Sequence, residues 1–171
     1  GTFTGNQLTG ETLSLRETAA GISNVIINVA SGTTVTFANI TATSFTSGSD
    51  TITIHGVDGG DETITGPDLA STINGGTGDD IIVAGTQNDT IDSGDGNDTI
   101  DGGSGADSLT GGDGNDVYLF DTNDVASSES ITENVGEGTD VVAVVTTTDF
   151  VNMTTASFDE IEPSTCDDQV M

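Results

Sequence analysis

The sequence predicts an all-β fold: a parallel β-roll over residues 57–120, preceded by a β-rich region over residues 1–56 and followed by a cap and tail over residues 121–171. Three observations predict it. Five consecutive nine-residue units between Gly75 and Leu119, reading GGTGDDIIV, AGTQNDTID, SGDGNDTID, GGSGADSLT and GGDGNDVYL, repeat one pattern; a fixed short period of this kind is the mark of a solenoid. Each unit carries one large apolar residue at its eighth position, namely Ile82, Ile91, Ile100, Leu109 and Tyr118, which supplies a narrow interior column. The chain of 171 residues is 32% hydrophobic but only 4% aromatic, which suits a thin core.

The elements follow in order. From Thr2 to Thr53 the chain is rich in Thr, Ser and Gly, with short apolar runs at Leu13 and Leu15, Val25-Ile26-Ile27 with Val29, Val35 and Phe37, and Ile52 and Ile54. Spacing by two and β-branching argue for strands separated by turns, and no helical period is present. Val35-Thr36-Phe37 and Ile52-Thr53-Ile54 would each put apolar residues inward and a threonine outward. Over residues 57–74 the nine-residue spacing already runs through Ile64 and Ile73, so VDGGDETIT and GPDLASTIN are two degenerate lead-in coils with Glu62 and Ser71 at the sixth position. The roll is expected to grow directly out of the preceding β-region. After Phe120 the period fails, because the next unit needs an acid at Val125. Thr122 to Thr132 is expected to be a loop or a short helical turn, Val141 to Val145 a buried strand, and Phe150, Val151, Met153, Phe158 and Ile161 apolar surface for the cap. The acidic tail from Pro163 is expected to fray.

Laid in register, the units follow G-G-x-G-x-D-x-U-x, with U large and apolar. The sixth-position acids are Asp80, Asp89, Asp98, Asp107 and Asp116. The first six residues of a unit make a turn and the last three a strand, so two units complete a coil and same-side neighbours lie eighteen residues apart. Turn glycines, among them Gly76, Gly78, Gly85, Gly94, Gly96, Gly103, Gly105, Gly112 and Gly114, permit backbone conformations closed to other residues and let carbonyl oxygens converge. Calcium, a hard cation, takes roughly six to eight oxygen ligands, which stacked turns can supply as carbonyls and carboxylates. The pairs expected to share an ion are Asp80 with Asp98, Asp98 with Asp116, and Asp89 with Asp107. That makes about three Ca2+ sites, with the roll ends open to more. A pairing of Glu62 with Asp80 is weaker, because the glutamate is longer and its turn lacks the full glycine set. The Asp89–Asp107 site is also expected to be weaker or differently coordinated, because Ala84 and Gln87 stand where glycines belong. On one sheet Ile73, Ile91 and Leu109 should stack about 4.8 Å apart, and on the other Ile64, Ile82, Ile100 and Tyr118. Ordering costs on the order of 1–2 kcal/mol per residue, so this ladder alone does not offset ordering plus carboxylate repulsion, and folding should be coupled to metal.

These repeats resemble the repeats-in-toxin (RTX) family of secreted bacterial proteins. A further stretch, Asn115-Asp116-Val117-Tyr118, then Asp121, then Glu133 to Val142, is similar to the segment that commonly follows such repeats in large bacterial surface proteins. The resemblance implies a calcium-loaded β-solenoid and type I secretion, in which a calcium-poor cytoplasm leaves the chain unfolded for export and calcium outside folds it. Residues 1–56 carry no such likeness.

Charge bounds the partners. With 29 acidic residues, Arg16 as the only basic side chain and a formal charge of −28, the chain is a poor match for nucleic acid or anionic membrane surfaces. No apolar run reaches spanning length, so membrane insertion is not expected, and the Gly1-Thr2-Phe3-Thr4 start suggests a mature or excised piece. Adaptation to high salt would explain acidity but not fixed spacing with glycines. An EF-hand reading of Asp113-Gly114-Asn115-Asp116 fails, because its spacing and terminal glutamate are missing. Paired glycosidase carboxylates need an acid of raised pKa, which a bound cation would remove. His55, the only histidine, reads as a strand-end residue, Cys166 as an inert thiol, and the sequons at Asn39 and Asn88 as chance matches. No catalytic residues are expected, and the chain is not expected to be an enzyme. The expected function is structural: a secreted calcium-binding module of a bacterial cell-surface protein, such as a surface layer, an adhesin or a self-assembling fibre whose open strand edges stack on another copy. The rival is a non-catalytic accessory domain of a type I-secreted protease, lipase or polysaccharide epimerase. A third reading, carbohydrate or ice binding by outward Thr and Ser over residues 31–53, needs a more regular threonine array.

Overall fold

A computed structural model of the chain describes residues 14–16, 24–36, 41–43, 51–121, 124, 129–133, 138–144 and 169–170. Leu13, Phe37, Phe150, Val151, Met153, Phe158, Ile161, Cys166 and the start of the tail at Pro163 lie outside the described residues. All described pairing is parallel and winds one strand onto each of two sheets in turn. The first sheet runs in the spatial order β2 (Asn24–Asn28), β5 (Thr51–His55), β7 (Ser71–Thr77), β9 (Thr90–Asp95), β11 (Ser108–Asp113) and β13 (Ser130–Thr132). The second runs β3 (Thr34–Thr36), β6 (Thr63–Thr65), β8 (Ile81–Val83), β10 (Thr99–Asp101), β12 (Val117–Phe120), β14 (Val141–Val144) and β15 (Gln169–Val170). A separate parallel pair joins β1 (Ser14–Arg16) to β4 (Thr41–Thr43). The chain is thus all-β, and its central coils form a β-roll.

Register shows why the apolar residue recurs once per unit. Ile73 pairs with Ile91 and Ile91 with Leu109 in the first sheet, and Ile64, Ile82, Ile100 and Tyr118 pair in succession in the second. These side chains are buried, as are Ile52 and Ile54 before them. Period-two alternation sends their neighbours outward: Thr53 is half-buried and Thr36 exposed. His55 ends β5 and pairs with Asn28 and Asn74.

The coil length varies along the axis. It is 18 residues in the repeats, as in Ile73 to Ile91, but 29 from Val35 to Ile64 and 24 from Tyr118 to Val142. The expected break after Phe120 is therefore a lengthening of the turns, and both sheets continue through it. Ser130–Thr132, expected to be loop or helical turn, is a strand, because Glu129-Ser130-Ile131 reproduces the acid-x-apolar triplet of Asp107-Ser108-Leu109. Val141-Val142-Ala143 is not buried throughout: Val142 faces the core and its neighbours are half-buried, since the sheet's outer face meets solvent. Fifth-position side chains also stack on one side: Asn97 N–H donates to Asp79 Oδ1 (2.8 Å), Asn115 N–H to Asn97 Oδ1 (3.1 Å) and Thr139 N–H to Asn115 Oδ1 (2.9 Å). Among the described residues, no helix is long and apolar enough to cross a membrane.

Candidate metal centre

Each sixth-position acid is clamped by the coil before it. On one side Glu62 N–H donates to Asp80 Oδ1 (2.7 Å), Asp80 N–H to Asp98 Oδ1 (2.8 Å) and Asp98 N–H to Asp116 Oδ1 (2.8 Å). On the other, Ser71 N–H donates to Asp89 Oδ1 and Asp89 N–H to Asp107 Oδ1, both at 2.7 Å. The acid's carbonyl then accepts the next coil's seventh-position N–H, as Asp80 O does from Thr99 at 2.8 Å. The fold thus brings Asp80 beside Asp98, Asp98 beside Asp116 and Asp89 beside Asp107.

The clamp uses one carboxylate oxygen and leaves the other. Asp80 Oδ2, Asp98 Oδ2 and Asp107 Oδ2 are buried and accept no hydrogen bond, and Glu62 Oε2 is in the same condition. A buried carboxylate without a donor is costly in its charged form. Burial pushes Asp80 and Asp107 up to about 6, with neighbouring acids adding to the effect. Asp98 is raised by burial as well. Asp89 differs: Ser71 Oγ (2.8 Å) joins Ser71 N–H on its Oδ1, and Gly85 N–H donates to its Oδ2 (3.2 Å).

The turn glycines open the space for these oxygens. Gly76, Gly78, Gly94, Gly96, Gly103, Gly105, Gly112 and Gly114 all have positive φ, between 74° and 155°. Gly85 does not share that conformation, since its turn carries Ala84 and Gln87; its role is close approach, because a Cβ there would overlap Pro67 O. The glycine at position one has a separate purpose. A Cβ on Gly75 would lie 2.5 Å from both Asp80 Oδ2 and Ser93 O, so a carboxylate and a carbonyl oxygen converge on that spot.

One cluster escapes the nine-residue pattern. Asp116, Glu133 and Asp140 each present an oxygen, all within 4.8 Å of one another. Asp140 occupies the sixth position of a further coil: Asp116 N–H donates to its Oδ1 (3.0 Å), and Val141 N–H to Asp116 O (2.8 Å). Glu133 accepts a hydrogen bond from the Tyr118 hydroxyl and is pushed up to about 7 by burial. Gly136-Glu137-Gly138-Thr139-Asp140-Val141-Val142 repeats G-x-G-x-D-x-U, a signal in the sequence that a strict nine-residue count passes over.

These oxygens fit calcium. They are hard, carboxylate and carbonyl, and Arg16 is the chain's only basic residue against 29 acids. The family model of the RTX calcium-binding nonapeptide repeat matches over residues 57–91, 68–100 and 92–122. No curated protein and no solved structure matches the chain. Repeats of this family bind Ca2+ and form non-catalytic modules of secreted proteins. With the parallel roll, the stacked acids and the family match in agreement, residues 57–122 carry several copies of the RTX calcium-binding nonapeptide repeat.

Proposed function

We propose that the chain is a calcium-folded structural module of a bacterial cell-surface protein, in a surface layer, an adhesin or a self-assembling fibre. The observation that carries this reading is the set of buried carboxylate oxygens that accept no hydrogen bond, at Asp80 and Asp98 in one column of acids and at Asp107 in the other. In this reading Asp80, Asp98, Asp107 and Asp116 are calcium ligands, helped by carbonyls of the glycine turns, and Asp89 is a weaker one. A bound ion would hold the acids ionised and cross-link successive coils, giving a rigid rod outside the cell and a loose chain where calcium is scarce. Parallel strands at either end of a roll offer backbone donors and acceptors to a further copy.

Sedimentation velocity of the purified chain, with calcium added from a chelated start, tests the surface-assembly reading. Calcium-dependent, reversible growth of large species supports it. A chain that folds with calcium yet stays monomeric favours the accessory domain of a secreted enzyme instead.

A further inference from the structure

We infer that a calcium ion binds between Asp107 and Glu129, one coil beyond the last repeat on that face. The inference rests on the calcium reading above and moves the principal site of this face away from the Asp89–Asp107 pair. The family match ends at residue 122, so Glu129 lies outside it.

Backbone pairing places Glu129 in the column. Ser130 N–H donates to Asp107 O (2.8 Å) and Asp107 N–H to Glu129 Oε2 (3.3 Å), the same double clamp that the repeat aspartates use. Ser108 pairs with Ser130 and Leu109 with Ile131, so Glu129 stands where a sixth-position aspartate would, 22 residues after Asp107 instead of 18.

Chemistry makes this a site for a cation. Glu129 is 4% exposed and Asp107 1%, and Glu129 Oε1 and Asp107 Oδ2 accept no hydrogen bond. Asp89 lacks this need, because Ser71 and Gly85 already donate to both of its oxygens. A divalent cation between Asp107 and Glu129 satisfies Asp107 Oδ2 and Glu129 Oε1, which accept no hydrogen bond.

Calcium equivalents bound per full chain, counted by equilibrium dialysis near neutral pH, test it on wild type, E129Q, E129D and D89N. We expect E129Q to bind one equivalent fewer, and E129D and D89N to keep the wild-type count. An unchanged count in E129Q overturns the inference, and so does the loss of an equivalent in D89N with none in E129Q. A proton shared by Asp107 and Glu129 would give the unchanged count. Wild type that binds no calcium overturns the underlying reading itself, whereas calcium binding with an indifferent E129Q overturns only this site. Should E129Q fail to form the roll in calcium, D107N takes its place, read against D89N: one equivalent fewer in D107N supports the site and an unchanged count removes it.

Discussion

Acidifying the calcium-free chain should fold it. Four buried carboxyls and the half-buried Glu133 oppose the metal-free roll near neutral pH: Asp80, Asp107 and Asp124 are raised from 3.8 to about 6, Glu133 from 4.5 to about 7 and Glu129 from 4.5 to about 8, in each case chiefly by desolvation. Each pKa unit corresponds to about 1.4 kcal/mol between the protonation states. The charges of Asp107 and Asp124 are part of what raises Glu129, so the shifts do not add in full; discounted for that coupling and for solvent screening, they still amount to on the order of 10 kcal/mol, comparable to the whole stability of a small domain. The sign follows from the direction of the shifts. A folded-state value above the ordinary one means that protonation favours the folded form, so the contribution is fully present below about pH 4 and is lost as pH rises through about 6 to 8. Far-UV circular dichroism in chelator should therefore gain strand signal as pH falls from about 8 to about 5, still above the isoelectric point near 4.1. Calcium should act in the opposite sense, binding less well in acid because its ligands must be ionised. A roll already formed at about pH 8 in chelator, or no gain of strand signal on acidification, would refute the claim that buried carboxylate charge opposes the metal-free fold.

Other perturbations separate turn, core and site. Gly96 has φ 144° and a Cβ there would overlap Gly78 O, whereas Gly59 has φ 91° and nothing within 4 Å. In calcium, G59A should cost about 1–2 kcal/mol of backbone strain, and G96A should cost more through the added clash, both read from urea unfolding. Ile100 is fully buried between Ile82 and Tyr118, so I100A should cost about 2–5 kcal/mol by the same measurement. Tyr118 is the only tyrosine, the chain has no tryptophan, and its hydroxyl bonds Glu133 in the Asp116–Glu133–Asp140 cluster. Terbium bound there should give tyrosine-sensitised emission, which E133Q abolishes while circular dichroism still shows the roll; emission unchanged in E133Q would remove Glu133 from the site.

The repeats were legible because every feature they need is written at a fixed interval. An apolar residue every nine positions gave the Ile64–Tyr118 and Ile73–Leu109 columns, and the aspartates two positions earlier gave the stacked acids. What lay outside the interval was not legible. Glu129 and Asp140 continue the same columns, but coils of 22 and 24 residues hide them from a count of 18. The difference at Asp89 was only half visible: Ala84 and Gln87 mark an odd turn, but that Ser71 would donate twice to this carboxylate depends on coil stacking. Nothing in the spacing singles out the position-one glycines, whereas the absent Cβ of Gly75 clears space for Asp80 Oδ2 once the coils stack.

The most direct measurement is a diffraction experiment on calcium-grown crystals with an anomalous difference map. If calcium completes the roll, peaks should lie about 2.3–2.6 Å from Asp80 Oδ2, Asp98 Oδ2 and Asp107 Oδ2, the oxygens that the fold buries and leaves without donors. A folded roll with no anomalous density at these oxygens, and water or a neighbouring carboxyl in hydrogen-bond contact instead, would contradict the account.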